Sequence, residues 1–275
     1  MQVTDRFGAP PPSSLVVEPT PADVERFRRD GFLVVERITT DEELDWLTGI
    51  FEAVFEQVDE RPEAHPNRGN QSMFPELAYP ALLETTFARN ARRVAAALLG
   101  VDGTALSSWS HFLRKPVGTS RLAPWHQDEA YWEPELAYHA LGAWLPLHAV
   151  SVERGAMQFI PGSHRLGVLP HHFHGGDPVD NLLEVDDGPE VDRSTAVPCP
   201  LPAGGATFHS CRTLHFTAPN TTAQPRLACA TEWQVAPTRR DVPAVRRWVD
   251  ERRAVASHRP MVDAYLADGQ VLPVG

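Results

Sequence analysis

His126-Gln127-Asp128 sets an imidazole and a carboxylate two residues apart. In an extended chain, residues i and i+2 project to the same side, so the pair can share one metal ion. One such triplet arises readily by chance, and its weight depends on what lies downstream. There, His215-Phe216-Thr217-Ala218-Pro219-Asn220 precedes Arg226, with turn signals around Pro219–Gln224. A ladder that pairs Thr217 with Arg226 brings His215, Thr217 and Arg226 to one face. Two imidazoles and one carboxylate leave three positions open on a metal. The hydroxyl and guanidinium suit the far end of a dicarboxylate whose near end chelates that metal.

The chain has 12 histidines, so other ligands compete. His209 lies six residues before His215, but only His215 sets Thr217 and Arg226 at the right offsets; His209 reads as packing beside the centre. His171-His172-Phe173-His174 has no cysteine or carboxylate at zinc-site spacing and belongs to a long loop. His164 reads as a turn residue. Cys199, Cys211 and Cys229 have no metal-site spacing and read as buried apolar residues.

The elements that position these groups divide the chain in two. Residues 1–19 are rich in Pro and Ser and read as a disordered tail; residues 20–275 read as one domain. Thr20-Pro21 starts a helix that Gly31 stops, and Phe32–Val35 is a short strand. Thr40 with Glu43 forms a capping box, and Leu44, Leu47, Phe51, Val54, Phe55 and Val58 recur at helical spacing. Further helices are expected over Ala81–Leu99 and Asp241–Ala254. Between them lie strands at Leu106–Arg114, Ala140–Ala149, Met157–Ile160, Ala206–Ser210, Thr213–Thr217 and Arg226–Val235. Helices followed by punctuated strands indicate an α+β fold, a double-sheet core with N-terminal helices packed on it. Residues 166–198 are acidic, rich in Gly, Pro and His, and poor in apolar anchors, which is the composition of an active-site lid.

Composition narrows the function. The net charge of −11 disfavours a nucleic-acid surface, and no apolar stretch approaches a membrane span. Three sparse cysteines and an N-terminus without a secretory h-region fit the cytoplasm. A small-molecule partner is expected; the oligomeric state is open.

These blocks together resemble the phytanoyl-CoA dioxygenase family of Fe(II)/2-oxoglutarate oxygenases, from about Val24 to Gln234. The similar segments are Phe27–Val35, Lys115-Pro116 with Trp125–Asp128 and Tyr131-Trp132, Ala143–Leu147 with Gly155, Ile160–His164, and His215, Thr217 and Arg226. The resemblance implies a double-stranded β-helix (jelly-roll, cupin-like). It implies His126, Asp128 and His215 as iron ligands, and Arg226 as partner of the distal 2-oxoglutarate carboxylate with Thr217 beside it. Trp144 and His111 are implied against the cosubstrate, and Trp132, Tyr131 and Arg121 are the substrate-side candidates. The implied cofactors are Fe(II), 2-oxoglutarate and O2, for hydroxylation of a C–H bond with release of succinate and CO2. Desaturation, epimerisation and cyclisation use the same triad. A cupin-like binding module, or a Zn or Mn hydrolase or isomerase, has no need of the Arg226–Thr217 clamp. Related halogenases lack the carboxylate ligand, so Asp128 speaks against halogenation.

Overall fold

The structure, a computed structural model, describes residues 6–60, 69–118, 121–178 and 181–254. Helix α1 (Pro21–Asp30) starts where the Thr20 hydroxyl accepts from Asp23 N–H and the Asp23 carboxylate reaches back to Thr20 N–H. It stops at Gly31, whose φ of 85° lies in the left-handed region. Helices α2 (Asp41–Glu60) and α3 (Thr86–Leu99) follow, and α4 (Arg247–Ala254) closes the described chain.

The strands are β1 (Phe32–Val35), β2 (Gln71–Met73), β3 (Leu106–Lys115), β4 (Ala123–His126), β5 (Leu136–Ala137), β6 (Ala140–Pro146) and β7 (Met157–Phe159). Then come β8 (His171–Phe173), β9 (Leu183–Val185), β10 (Val197–Cys199), β11 (Ala206–Ser210), β12 (His215–Thr217), β13 (Arg226–Val235) and β14 (Thr238–Arg239). A six-stranded sheet has the order β1-β11-β6-β13-β3-β2, and a four-stranded sheet the order β10-β7-β12-β4. These pairings are antiparallel, and the result is the expected α+β double-stranded β-helix.

Alternation along the strands separates the two faces of the large sheet. Leu141, Ala143 and Leu145 of β6 share a core with Leu47, Phe51 and Val54 of α2 and with Ala91, Val94 and Ala95 of α3. Trp144 faces the other way, into a second core with Met157, Phe159, Ala228 and Ala230 between the sheets. The helices therefore back the large sheet, and its inner face is left to the site.

Several expectations are corrected. Residues 6–19 are not a loose tail. Phe7 packs edge-on against Tyr79 and its carbonyl accepts from Trp46 Nε1, while Asn90 bonds both Leu15 and Val17. Residues 1–5 lie outside the described set, as do residues 255–275 of the expected domain. The helix expected over Ala81–Leu99 is a 3-10 turn (Pro80–Glu84) and then α3, capped afresh by Thr85. The last helix starts six residues late, because Pro243 removes an N–H and disfavours helical geometry at Val242. The segment 166–198 is no unanchored loop: β8 and β9 form a hairpin that buries Phe173, Leu183 and Val185. Finally, Thr217 does not pair with Arg226. β12 joins β4 and β7, whereas β13 joins β3 and β6 in the opposite sheet.

Half of the Thr40–Glu43 capping box forms. Thr40 Oγ1 accepts from Glu43 N–H, but the buried Glu43 carboxylate turns to the next helix, accepting from Thr86 N–H (2.6 Å) and Phe87 N–H (2.8 Å). The start of α3 is thus held by α2. Glu43→Ala leaves two buried N–H donors unpaired and should destabilise the fold by on the order of 2–4 kcal/mol. Urea unfolding should show a lower midpoint at unchanged slope; an unaltered midpoint refutes the capping role.

Candidate metal centre

His126 ends β4 and His215 begins β12, and the two are cross-strand partners, which puts their rings 4.1 Å apart between centroids. Each ring is oriented by its own backbone. His126 Nδ1 lies 2.7 Å from Pro124 O and His215 Nδ1 2.9 Å from Thr213 O, so both Nδ1–H groups donate to carbonyls and both Nε2 lone pairs are free. Asp128 opens a 3-10 turn (Asp128–Tyr131), and its Oδ1 lies 3.7 Å from His126 Nε2 and 3.4 Å from His215 Nε2. The three ligand atoms lie within 4.8 Å of one another, a set that one ion can bind, and no other such group occurs among the described residues. Burial holds both imidazoles below their ordinary range, hence neutral and able to ligate. Burial also pushes the Asp128 carboxyl up, but His215, the hydrogen bond from His209 and His126 together outweigh it and keep it ionised.

Across the sandwich, Arg226 projects from β13. Its guanidinium is buried, stands 5.4 Å over the Trp144 ring, and has no partner for Nε and Nη1 among the described residues. Burial pushes its pKa down to about 10, so the cation lacks the counter-charge a buried guanidinium ordinarily has. Thr217 reaches the same place from the small sheet. Lys115 Nζ donates to Thr217 Oγ1 (2.7 Å), Thr217 O (2.9 Å) and Ala218 O (2.6 Å). Burial and then Arg226 push Lys115 down to about 6, while its three acceptors favour the ammonium. With its lone pair engaged by Lys115, the Thr217 hydroxyl is left as a donor.

The turn bearing Asp128 is braced on both sides. Glu129 is fully buried and accepts from Arg212 Nε (2.6 Å), Arg246 Nη2 (2.8 Å) and Arg240 Nη2 (3.2 Å). Gln127 donates to Gly167 O and Arg212 O and accepts from Leu169 N–H, while its own N–H donates to His171 Nε2. The structure thereby assigns His171 to support of the metal turn. His172 and His174 instead pair with Asp186 and Glu184 across the hairpin, and His164 contacts the Arg28 carbonyl at the end of α1. The three cysteines are buried and free.

Of the remaining expected site residues, His111 is half-buried on β3 with Nδ1 2.7 Å from Gln71 Nε2. Tyr131 lies edge-on to His126 (5.8 Å), and its hydroxyl accepts from Leu183 N–H. Arg121 is half-buried just before β4. Trp132 is buried with Tyr138, Ala140 and Cys211. Sequence reasoning missed Gln71, Gln127 and Glu129. The Glu129 partners are 83, 111 and 117 residues distant, and no local pattern announces them.

Glu129→Ala should destabilise the protein by about 3–5 kcal/mol, since it leaves the buried Arg246 uncompensated and two half-buried arginines beside it. Calorimetry or urea titration checks this, and a loss below 1 kcal/mol refutes the brace. Acid should also unfold the metal-free protein early. Burial pushes both His111 and His171 down to about 4 in the fold, against about 6.5 when unfolded. The unfolded chain then binds more protons between these values, so the stabilisation is complete above pH ~6.5 and is lost as pH falls toward ~4. Urea midpoints of the metal-free protein at steps across this window should fall progressively; a flat profile contradicts the burial of neutral imidazoles.

The model of the phytanoyl-CoA dioxygenase (PhyH) family matches residues 27–228. Phytanoyl-CoA dioxygenase domain-containing protein 1 of Danio rerio is 23% identical over 252 residues, covering 74% of this chain and 85% of its own. Ectoine dioxygenase of Halomonas elongata is 26% identical, covering 74% and 67%. Among solved structures, EvdO2 from Micromonospora carbonacea var. aurantiaca, complexed with 2-oxoglutarate, superposes with a TM-score of 0.76 at 33% identity, over 86% of this chain and all (100%) of that one. EctD from S. alaskensis shares the fold at 18% identity and a TM-score of 0.62, over 83% and 80%. With the family match spanning both metal-ligand segments and reaching past Arg226, the chain belongs to the phytanoyl-CoA dioxygenase family of 2-oxoglutarate-dependent non-haem iron oxygenases.

Proposed function

We propose that the protein is an Fe(II)- and 2-oxoglutarate-dependent dioxygenase that hydroxylates an unactivated C–H bond of a small or medium-sized metabolite in a biosynthetic pathway. The observation that carries this reading is Arg226. A buried guanidinium with two unpaired N–H groups, across the sandwich from three converging ligand atoms, asks for a dianion that reaches a metal. EvdO2, one-third identical to this chain, was solved with such a dianion.

His126 and His215 offer Nε2, and Asp128 a carboxylate oxygen, to Fe(II). Arg226 takes the distal carboxylate of 2-oxoglutarate through Nε and Nη1, and the Thr217 hydroxyl donates beside it. Lys115 orients that hydroxyl by donating to its oxygen, and Trp144 supports the guanidinium face. His111, linked to Gln71, flanks the same cavity. Met157, Phe159, Ala228 and Ala230 keep water away from the reacting atoms, and Tyr131 and Arg121 lie at the substrate side. When bound, iron and 2-oxoglutarate supply the oxidising power that inserts one atom of O2 into a C–H bond, with succinate and CO2 released. No helix among the described residues is long and apolar enough to cross a membrane, and a cytoplasmic location fits the cysteine usage.

Anaerobic addition of Fe(II) and 2-oxoglutarate should give the visible charge-transfer band of a metal chelate. A binding module, or a site for another metal, gives none. His126→Ala and His215→Ala should lose iron binding yet stay folded. Arg226→Ala should weaken 2-oxoglutarate by tens-fold or more, since losing the guanidinium is worth on the order of 2–5 kcal/mol. Unchanged affinity assigns the clamp elsewhere. Substrate-stimulated succinate formation identifies the substrate; a product that has lost hydrogen without gaining oxygen assigns desaturation or cyclisation instead.

A further inference from the structure

We propose that His209 is the positioning residue that sets how Asp128 presents its carboxylate to the metal, and that position 142 is glycine to admit the His209 ring. The proposal rests on the reading of His126, Asp128 and His215 as a metal centre. His209 projects from β11, in the sheet opposite to the two ligand histidines, and is buried. Its Nε2 lies 3.0 Å from Asp128 Oδ2, while Oδ1 is the oxygen that faces His126 and His215. The two oxygens of one carboxylate are thus divided: one held by the protein, the other left for an ion.

A carboxylate that ligates a metal only accepts, so the 3.0 Å contact with Asp128 Oδ2 takes its proton from His209 Nε2. Nδ1 then bears a lone pair, and it has no partner among the described residues. Among the described residues, the one hydrogen bond of the ring is the one to Asp128. Apolar and aromatic neighbours hold the rest: Phe159 at 5.3 Å and His215 at 4.5 Å between centroids.

Gly142 of β6 is the cross-strand partner of both His209 and Glu232. A Cβ there would lie 2.8 Å from His209 Cε1, 2.9 Å from Nε2 and 3.1 Å from Glu232 Oε1. Space requires this glycine, since its φ is outside the positive range. An alanine would drive the ring off Asp128.

The consequence concerns denticity. A carboxylate free to turn can chelate through both oxygens and occupy a further coordination position. Three open positions are needed for a bidentate cosubstrate and O2, and tying up Oδ2 preserves them.

The test uses Co(II), whose visible spectrum reports coordination and which needs no turnover. His209→Phe keeps the ring and loses the donor; His209→Gln keeps an N–H donor. His209→Phe and Gly142→Ala should each bind Co(II) about 10–100-fold more weakly than wild type, with an altered d–d spectrum, and His209→Gln should recover part of both. Wild-type affinity and spectrum in His209→Phe overturn the proposal. So does His209→Gln failing to the same degree as His209→Phe, because packing alone would then explain the loss. Should His209→Phe not fold, Gly142→Ala and His209→Gln decide: a wild-type spectrum in Gly142→Ala, or a Gln variant no better than Gly142→Ala, overturns it. Wild-type protein that binds no Co(II) overturns the metal centre itself, and is distinguishable from these outcomes.

Discussion

A carboxylate with no exposure to water holds the metal turn in place. Glu129 follows Asp128 directly, and three arginines from two distant segments converge on it. Arg212 lies where the chain crosses from the large sheet to the small one, between β11 and β12. Arg240 and Arg246 belong to the stretch before α4. Because an unpaired buried charge is costly, these contacts form together or not at all, and their formation couples the Asp128 turn to the strand that carries His215. Gln127 repeats the device with neutral hydrogen bonds, bonding Gly167 and Leu169 as well as Arg212. Both residues flanking Asp128 are thereby immobilised, and rigid flanks are what a preorganised ligand needs.

The two sheets divide the chemistry. The small sheet carries His126, His215 and Thr217, while the large one carries Arg226, Trp144, His111 and His209. The facing of the triad and the Arg226 guanidinium across the sandwich is therefore a consequence of how the two sheets pack. Some of the unpaired polar atoms among the described residues lie on the inner face of the large sheet: Nε and Nη1 of Arg226, Nδ1 of His209, Oε2 of Glu232. Folding alone gains nothing from burying such groups without partners. Together with the triad they line the space between the two sheets.

The hairpin of β8 and β9 changes how that cavity is walled. Phe173 and Leu183 pack with Ala130, Trp248 and Val249, and Tyr131 accepts a hydrogen bond from the hairpin backbone. A segment whose composition suggests a loose lid is thus fastened to the metal turn and to α4. Local composition undercounted its anchors because few apolar residues suffice when each finds a complementary site.

What the sequence determined by itself is local and chemical. Caps, stops and periodicity are set by neighbours a few residues apart, so Thr20, Gly31, the α2 face and the limits of β11 and β13 were legible. So was the meeting of the His126 and Asp128 side chains, because residues i and i+2 of an extended chain share a side, and His215 joins them in the fold. Tertiary structure alone decided which sheet each strand joins. Alternation tells which residues share a face but not what that face meets, and so Thr217 and Arg226 approach from opposite sheets rather than along one ladder. The same holds for the arginines on Glu129, the glycine beside the His209 ring and the burial of Trp132 with Tyr138 and Cys211. Each depends on contacts between residues far apart in the chain, which only the folded packing brings within reach.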